Sequence, residues 1–333
     1  MEILLSESSG FAPAALRILE QLGRVTLGEL DRLQLLRSVS RADVLWIRLR
    51  HKIDAEVLAA APRLRAVVSA TTGLNHIDLK EAERRGIPVL SLRGEDTFLK
   101  EVRGTAEHTV ALILALLRRL PDAVGHVRDA GWERNHFRGN ELCGKTVGIV
   151  GFGRLGRLVA RYLRVFGTRL LATDIRPMVV PRSVELVSLP KLLRHSDIVT
   201  LHADLSPTSV GFFGAEQFAQ MKSGAWFINT ARGELVDEDA LLQALQSNHL
   251  AGAAVDVVSE EHSIGNTTHP LIAYSRTHPH LIVTPHLGGC THESMEKTEV
   301  FMANKLSAFC RETFGIHPAT RTTDSETRTA TFH

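Results

Sequence analysis

The segment TVGIVGFGRLG, residues 146–156, decides the fold of this chain. A short apolar run leads directly into three glycines, and apolar residues recur at helical spacing after them. A strand, a glycine turn and a helix in this order are typical of a dinucleotide-binding unit. Gly151 permits the tight turn, Gly153 lets a pyrophosphate approach the backbone, and Gly156 lets helix and strand pack closely. The segment therefore predicts a Rossmann-like unit.

The residues around this turn indicate which dinucleotide it binds. The backbone N–H groups near Arg154 and Leu155 are expected to point at phosphate oxygens. Asp174 ends the next strand-like run, LLATD, 18 residues after Gly156. A carboxylate there accepts hydrogen bonds from ribose hydroxyls and repels a 2′-phosphate, which favours NAD over NADP. Arg176 opposes this preference, since an arginine can meet a phosphate. The glycine turn alone would also fit a Rossmann methyltransferase.

Short apolar runs alternate with helical patterns along the rest of the chain. This alternation predicts an α/β protein with two Rossmann-like, doubly wound parallel-sheet domains, the cofactor domain being inserted in the substrate domain. We expect residues 1–99 and 291–317 to form a flavodoxin-like substrate domain, 100–290 an NAD-binding Rossmann domain with six strands, and 318–333 a disordered tail. The predicted strands are 2–5, 44–47, 66–69, 88–90, 146–150, 169–173, 198–201, 225–229, 253–257 and 281–284. The predicted helices are 13–22, 55–60, 105–120, 155–166, 190–195, 215–221, 238–246 and 293–309.

Composition narrows the class of protein. The chain has 333 residues, 44% of them hydrophobic, and a net charge of +2, which argues against an electrostatic nucleic-acid footprint. Cys143, Cys290 and Cys310 lack metal or disulfide spacing, so we expect no metal and a reducing compartment. The N-terminus has no secretory pattern, and the most apolar helix, near 110–117, is too short to cross a bilayer. A cytoplasmic protein without membrane contact is expected.

Three side chains downstream of the glycine turn carry chemistry. Arg232, Glu261 and His286 lie in the segments INTARGELVDEDAL, AGAAVDVVSEE and LIVTPHLGG. Arg232 and His286 follow predicted strands at the carboxyl edge of the sheet, where open α/β sheets bind ligands. A guanidinium forks onto carboxylate oxygens, and an imidazole with a nearby carboxylate can move a proton near neutral pH. Each residue alone is weak evidence, but the set predicts hydride transfer to an α-keto acid.

These segments make the chain similar to the D-isomer-specific 2-hydroxyacid dehydrogenases, which include 3-phosphoglycerate, glycerate and D-lactate dehydrogenases. The resemblance covers roughly residues 40–310 and includes TTGLNHIDL, AEHTVALILALLRR, GKTVGIVGFGRLGRLVA, INTARGELVDEDALLQAL and TPHLGG. It implies Arg232, Glu261 and His286 as the catalytic residues and a homodimer with the helix at 105–120 in its interface. The cofactor contacts that it implies, together with the glycine turn, are Arg154, Leu155, Asp174, Thr230, Ala231, Arg232, Asp256, His286, Gly288, Gly289 and Thr72. The substrate contacts that it implies are Arg48, Thr71, Thr72, Gly73 and Arg232.

The chain departs from the family pattern at several positions. His262 stands where the family often has a proline, and the stretch 262–280 is irregular and rich in histidine. The substrate loop reads SATTG, without the arginine common in phosphoglycerate-type members, and His76 replaces a common Asp or Asn. The missing cation argues against 3-phosphoglycerate as the substrate. An NAD(H)-sensing, non-catalytic protein of the corepressor type on the same scaffold is the alternative function.

Overall fold

The computed structural model describes residues 1–264 and 269–316, and the chain divides into two compact units. The first unit comprises Met1–Arg93 and the chain from Glu296 onward, and the second comprises Gly94–Met295. The second unit is therefore inserted in the sequence of the first, as predicted. The predicted tail at 318–333 lies outside the described residues.

The first unit is built on a five-stranded parallel sheet. Its strand order is β2-β1-β3-β4-β5, which is the flavodoxin-like order of a doubly wound sheet. Parallel strands need crossover connections, and short helices supply them between successive strands. The elements are β1 (Glu2–Leu5), α1 (Pro13–Glu20), β2 (Arg24–Leu27), α2 (Arg32–Ser38), β3 (Val44–Ile47), α3 (Ala55–Ala59), β4 (Ala66–Ser69), α4 (Leu79–Arg84) and β5 (Val89–Leu90).

The second unit is built on a seven-stranded parallel sheet. Its elements are α5 (Asp96–Leu99), α6 (Gly104–Leu117), α7 (Leu120–Arg128), β6 (Thr146–Val150), α8 (Arg154–Val165), β7 (Arg169–Thr173), β8 (Val184–Leu186), α9 (Leu189–His195), β9 (Ile198–Leu201), α10 (Ala215–Gln220), β10 (Ala225–Asn229), α11 (Glu238–Gln246), β11 (Leu250–Val255), α12 (Pro270–Ser275) and β12 (Leu281–Val283). Helix α13 (His292–Phe314) continues the chain into the first unit. The strand order β12-β11-β10-β9-β6-β7-β8 is the Rossmann order extended by one strand. The predicted fold class is confirmed.

Two strands were missed by the sequence analysis, and both lie at sheet edges. Strand β2 has three exposed residues of four, and β8 has two exposed residues of three. An edge strand that is open to solvent has little apolar surface to bury, so it lacks the continuous apolar run of a central parallel strand. The prediction of six strands in the second sheet was therefore wrong, because β8 adds a seventh.

Among the other differences in boundaries, two concern elements near the site. The helix expected at 105–120 ends at Leu117, and α7 begins at Leu120 with Pro121 inside its first turn. A proline is well accepted in the first turn of a helix because the N–H that it lacks has no partner there in any case. The strand expected at 253–257 spans Leu250–Val255, after which the chain turns at Asp256.

Apolar clusters cover both faces of the second sheet. One face packs the rings of Phe213, Phe218 and Phe227, and the other packs Ile149 against Leu163 of α8. All strands of this sheet pair in parallel, so their carboxyl ends come together at one edge. None of the helices in the described part of the chain has the length and apolar character required to cross a membrane.

Candidate active site

The glycine turn after β6 has the close contacts that a dinucleotide site requires. Gly151 has φ +89°, and a Cβ there would lie 2.6 Å from the carbonyl oxygen of His202. A Cβ on Gly156 would lie 2.2 Å from the carbonyl oxygen of Gly151. Gly153 precedes α8 and supplies no side-chain cap, so the first N–H groups of this 12-residue helix are available to an anion. The residues present therefore fit a pyrophosphate.

Asp174 ends β7 beside this turn. One carboxylate oxygen accepts the N–H of Phe152 at 2.8 Å, and the other accepts the N–H of Arg176 at 3.0 Å. Burial raises the pKa of Asp174, but these hydrogen bonds and the Arg176 guanidinium outweigh it and hold the pKa below its ordinary value. A carboxylate has about four acceptor positions, so capacity remains for a ribose hydroxyl.

Arg154, expected at the phosphates, directs its guanidinium elsewhere in this structure. Its Nη1 donates to the carbonyl oxygens of Leu99 and Val102, at 3.1 and 3.2 Å. Burial lowers the pKa of Arg154, and Asp96 partly offsets this effect. The side chain therefore joins the segment before α6 to the first turn of α8.

Arg232 lies in the turn after β10, and Asn229 shapes that turn. The Asn229 amide nitrogen donates to the carbonyl of Arg232 at 2.9 Å, and its amide oxygen accepts the N–H of Ala231 at 3.0 Å. Burial lowers the pKa of the Arg232 guanidinium, while three carboxylates raise it: Glu261, Glu234 and Asp204. A desolvated guanidinium is well suited to bind a small carboxylate, because it is permanently charged and offers two parallel N–H donors. The role of Asn229 was not recognised from the sequence, although the NTARG segment contains it.

Glu261 and His286 meet in the structure. His286 Nδ1 lies 2.7 Å from Glu261 Oε2, and both side chains are partly exposed. With Nδ1 engaged by the carboxylate, Nε2 is the ring nitrogen left to exchange a proton. His286 itself has φ +54°, and Glu260, next to Glu261, has φ +53°. Non-glycine residues in the left-handed region are uncommon and cluster at functional sites.

Asp256 holds the loop that contains His286. Its carboxylate accepts the N–H groups of Leu287 and Gly288, both at 2.8 Å, and the hydroxyl of Thr284 at 2.5 Å. His108 Nε2 lies 3.1 Å from the same carboxylate. Although burial raises the pKa of Asp256, these hydrogen bonds lower it by more. Asp256 was expected beside the nicotinamide amide, and His108 was not singled out from the sequence because nothing in a helix pattern marks it.

The loops that contain Arg232 and Glu261 touch through a glycine. A Cβ on Gly233 would lie 2.0 Å from the backbone carbon of Val258 and 2.2 Å from the nitrogen of Ser259. No side chain fits in this space, so the residue after Arg232 must be glycine for the two backbones to approach. The contact fixes the guanidinium relative to the loop that carries the carboxylate.

The remaining expected cofactor contacts lie around the same edge of the sheet. The hydroxyl of Thr230 lies 2.9 Å from that of Thr109 on α6. A Cβ on Gly288 would lie 3.0 Å from a methyl carbon of Thr105, whereas Gly289 faces open space. Gly288 is therefore held by packing, and Gly289 is free to approach a ligand.

The expected substrate residues of the first unit form a small hydroxyl network. The Ser69 and Thr71 hydroxyl oxygens lie 2.8 Å apart, and Thr71 donates to the carbonyl of Gly73 at 2.8 Å. Thr72 is exposed. Arg48 pairs with the buried carboxylate of Glu299 at 2.6 Å, and also donates to the carbonyl of Ser9. Its guanidinium is thus engaged within the first unit.

Within residues 1–264 and 269–316, no group of three His, Cys, Asp or Glu side chains is arranged to hold a metal ion. A guanidinium and a carboxylate–imidazole pair, such as Arg232 with Glu261 and His286, can bind a carboxylate and transfer a proton.

Comparison with known proteins identifies the family. Residues 110–288 match the family model described as "D-isomer specific 2-hydroxyacid dehydrogenase, NAD binding domain". The chain is 38% identical over 281 residues to the D-3-phosphoglycerate dehydrogenase of Mycobacterium bovis, covering 83% of this chain and 51% of the relative. It thus spans about half the length of the curated relatives it matches.

Solved structures agree with this match. The TT0316 protein of Thermus thermophilus superposes with a TM-score of 0.79 at 32% identity, over 96% of this chain and 98% of the other. A D-lactate dehydrogenase of Aquifex aeolicus, solved with NAD and lactic acid, gives 0.81 at 27% identity, over 94% and 96%. NAD is the cofactor, and the methyltransferase alternative is wrong. The chain belongs to the D-isomer specific 2-hydroxyacid dehydrogenase family.

Proposed function

We propose that this protein is an NAD-dependent oxidoreductase that interconverts a D-2-hydroxy acid and its 2-keto acid. The observation that carries the proposal is the 2.7 Å pair of His286 Nδ1 and Glu261 Oε2, with the Arg232 guanidinium in the field of the same carboxylate. We assign the NAD-binding role to residues 100–290 and the substrate-binding role to 1–99 with 291–317. The domain boundaries and residue roles are part of this proposal.

Arg232 binds the carboxylate of the keto acid and polarises its carbonyl group. A guanidinium is permanently charged, and burial strengthens its attraction for an anion because water screens it less. Asn229 holds the backbone of this turn from both sides. The arginine is therefore positioned before substrate arrives, which reduces the entropic cost of orientation.

His286 moves the proton. In reduction, its Nε2 donates a proton to the carbonyl oxygen, and in oxidation the same nitrogen accepts the hydroxyl proton. Glu261 engages Nδ1 at 2.7 Å, so its role is to orient the ring and leave Nε2 for the substrate. NADH, when bound, supplies the hydride to the carbonyl carbon. The residues that we assign to its binding are the glycine turn with Arg154 and Leu155, then Asp174, Thr230–Arg232, Asp256, His286, Gly288, Gly289 and Thr72.

The substrate is proposed to be a 2-keto acid without a phosphate group. Ser69 and Thr71 are linked to each other within the substrate loop, and Arg48 is paired with Glu299. The loop hydroxyls carry no positive charge, and the charge of Arg48 is already paired with a carboxylate, so neither provides a cation for a phosphate. Backbone N–H groups of Thr71, Thr72 and Gly73 remain the proposed carboxylate contacts, with Arg48 as a neighbouring charge.

A homodimer and a cytoplasmic location complete the proposal. Leu120, Val124 and Val127 lie three and four residues apart on α7, and each is about half exposed, at 47, 47 and 51%. Trp132, shortly after this helix, is 87% exposed. A contiguous exposed apolar stripe on a surface helix marks an interaction site, and a second copy of the chain is the proposed partner.

The test is a nicotinamide-absorbance assay with NADH and a panel of 2-keto acids, including glyoxylate, pyruvate, hydroxypyruvate, phenylpyruvate and 3-phosphohydroxypyruvate. We expect the wild-type protein to reduce at least one of these acids. Arg232→Ala should abolish this turnover while NADH binding stays nearly intact. Arg194→Ala, at an exposed arginine on α9, should leave the turnover unchanged. Tight NADH binding without turnover of any acid would instead favour the NAD(H)-sensing alternative.

A further inference from the structure

A buried carboxylate outside the proposed catalytic set lies beneath the loop that contains Glu261. Glu238 is the first residue of α11, while its neighbour Asp237 caps that helix by accepting the N–H of Ala240. Glu238 is therefore not needed as the cap, and its side chain turns toward the chain that follows β11. Its exposed fraction is 17%, although it belongs to a surface helix.

Glu238 contacts two points of the chain that bracket Glu261. Its Oε1 accepts the N–H of Ser259 at 2.8 Å, and its Oε2 lies 3.0 Å from Nε2 of His269, which is 12% exposed. Ser259 precedes Glu261 by two residues, and His269 follows it by eight. One carboxylate thus joins both ends of the segment that supplies the partner of His286.

The backbone between these contacts explains why such an anchor is needed. Glu260 has φ +53°, a left-handed conformation in which the Cβ of a side-chain-bearing residue crowds the backbone. A strained residue of this kind persists only when the surrounding structure determines its conformation. The hydrogen bond to Ser259 fixes the residue immediately before Glu260, so it holds the strained turn that presents Glu261.

The environment of Glu238 shows that the anchor carries a desolvation cost. Burial raises the pKa of Glu238, and the Ser259 N–H and the His269 imidazole partly offset this. A buried carboxylate is tolerated when such partners satisfy its oxygens.

We propose that Glu238 and His269 are positioning residues: Glu238, paired with His269, holds the backbone at Ser259 so that the carboxylate of Glu261 reaches Nδ1 of His286. The expected effect on turnover rests on the proposed function, whereas the expected effect on the backbone around Glu261 does not. Glu238 acts through Glu261 and touches neither substrate nor cofactor in this assignment.

The first experiment compares Glu238→Ala with Asp239→Ala, a matched acidic residue on the same turn. Misplacing a catalytic group by about 1 Å costs on the order of 10²-fold, so we expect kcat for keto-acid reduction to fall about 10–100-fold in Glu238→Ala. NADH affinity should change less than about twofold, since Glu238 lies outside the glycine turn. Glu238→Gln keeps an acceptor for the N–H of Ser259, and His269→Gln keeps a donor for Glu238. Both should therefore reduce kcat less than Glu238→Ala does. Equal kcat values in Glu238→Ala and Asp239→Ala would overturn the proposal.

A double-mutant cycle separates positioning from general destabilisation. If Glu238 acts through Glu261, Glu238→Ala should reduce kcat by less than about threefold when introduced into Glu261→Gln. If the two substitutions act independently, their fold reductions in kcat multiply in the double variant, and that result would contradict the positioning role.

Hydrogen exchange provides a readout that does not depend on turnover. Amide exchange across residues 259–264 should accelerate in Glu238→Ala and stay at the wild-type rate in Asp239→Ala, with thermal unfolding used to confirm that both variants are folded. Unchanged exchange in Glu238→Ala would reject the positioning role of Glu238 even if the wild-type protein shows turnover. If exchange is faster in Glu238→Ala but the wild-type protein turns over no acid, the positioning role of Glu238 is supported and the proposed function is rejected.

Discussion

The carboxylate of Asp256 accepts the N–H of Gly288 at 2.8 Å, and its backbone carbonyl accepts the N–H of His286 at the same distance. A residue at the end of β11 therefore shapes the turn after β12. His286 has φ +54° within this turn, so its orientation depends on hydrogen bonds from a neighbouring strand rather than on its own backbone preference.

Asp256→Asn should destabilise the protein by about 1–3 kcal/mol, because an amide replaces one acceptor oxygen with a donor and leaves a buried N–H without a partner. The pKa of Asp256 is lowered in the folded protein, so its ionised form contributes stability above the ordinary pKa of about 3.9. That contribution is lost as the pH falls through the lower folded pKa. Urea unfolding at pH 7 and at pH 3 should show a difference between wild type and variant that shrinks at the lower pH. If wild type and variant differ in unfolding free energy by the same amount at both pH values, the charge of Asp256 is not the source of the lost stability.

His286→Gln should reduce the rate of keto-acid reduction by about 10²–10⁴-fold, the usual worth of a general acid. Glutamine keeps a polar side chain of similar length but cannot exchange a proton near neutral pH. Steady-state kinetics with NADH and the best keto acid provide the measurement. The same substitution at His195, an exposed residue at the end of α9, serves as the control. A loss of only a few-fold would show that another group supplies the proton.

Asp174→Asn should raise the ratio of NADPH to NADH use. The substitution removes the charge that repels a 2′-phosphate, and it releases the Arg176 guanidinium, whose Nε now lies 3.4 Å from Asp174 Oδ1. Asparagine preserves an acceptor for the N–H of Phe152, so the glycine turn should remain intact. Kd values for both dinucleotides test this. Adding Arg176→Ala should reverse the gain for NADPH, and an unchanged ratio in both variants would remove Asp174 from cofactor selection.

Val127→Asp should convert the proposed homodimer to a monomer, because a charge in the centre of an apolar interface loses its hydration without gaining a partner. Sedimentation equilibrium of the wild-type protein and the variant provides the measurement. Val210→Asp, at a residue that is 62% exposed and distant in sequence from α7, is the matched control. A wild-type protein that is already monomeric would contradict the proposal directly.

The sequence was most informative where the chemistry is local. The glycine turn has no room for a side chain at Gly151 or Gly156, and Gly153 leaves the backbone open to a phosphate, so its letters alone reveal the Rossmann unit. Central strands such as Val44–Ile47 and Ile198–Leu201 are buried on both faces, and their bounds were predicted to the residue. The edge strands Arg24–Leu27 and Val184–Leu186 were missed, because exposure removes that apolar signal.

The contacts that shape the site are distant in sequence and could not be predicted in the same way. His108 reaches Asp256 across 148 positions, and Glu238 reaches Ser259 across 21. Nothing in a helical pattern distinguishes a buried acidic residue from the solvated one beside it. Only the positions of Ser259 and His269 in the structure show that Glu238 has polar partners.

The absence of a side chain at Gly233 has a consequence for altering the acids that this protein accepts. Since the turn that contains Arg232 rests directly on the backbone of Val258 and Ser259, the two cannot be adjusted independently. A side chain at position 233 would displace these two backbones together, so it should disturb the turn at Arg232 and the chain that leads to Glu261 at once. Diversity is better placed at Thr72, which is exposed and whose neighbours are held by their own hydrogen bonds. Under the proposed assignment, the stretch around Thr72 would select the side chain of the acid, and it could be varied without rebuilding the turn at Arg232.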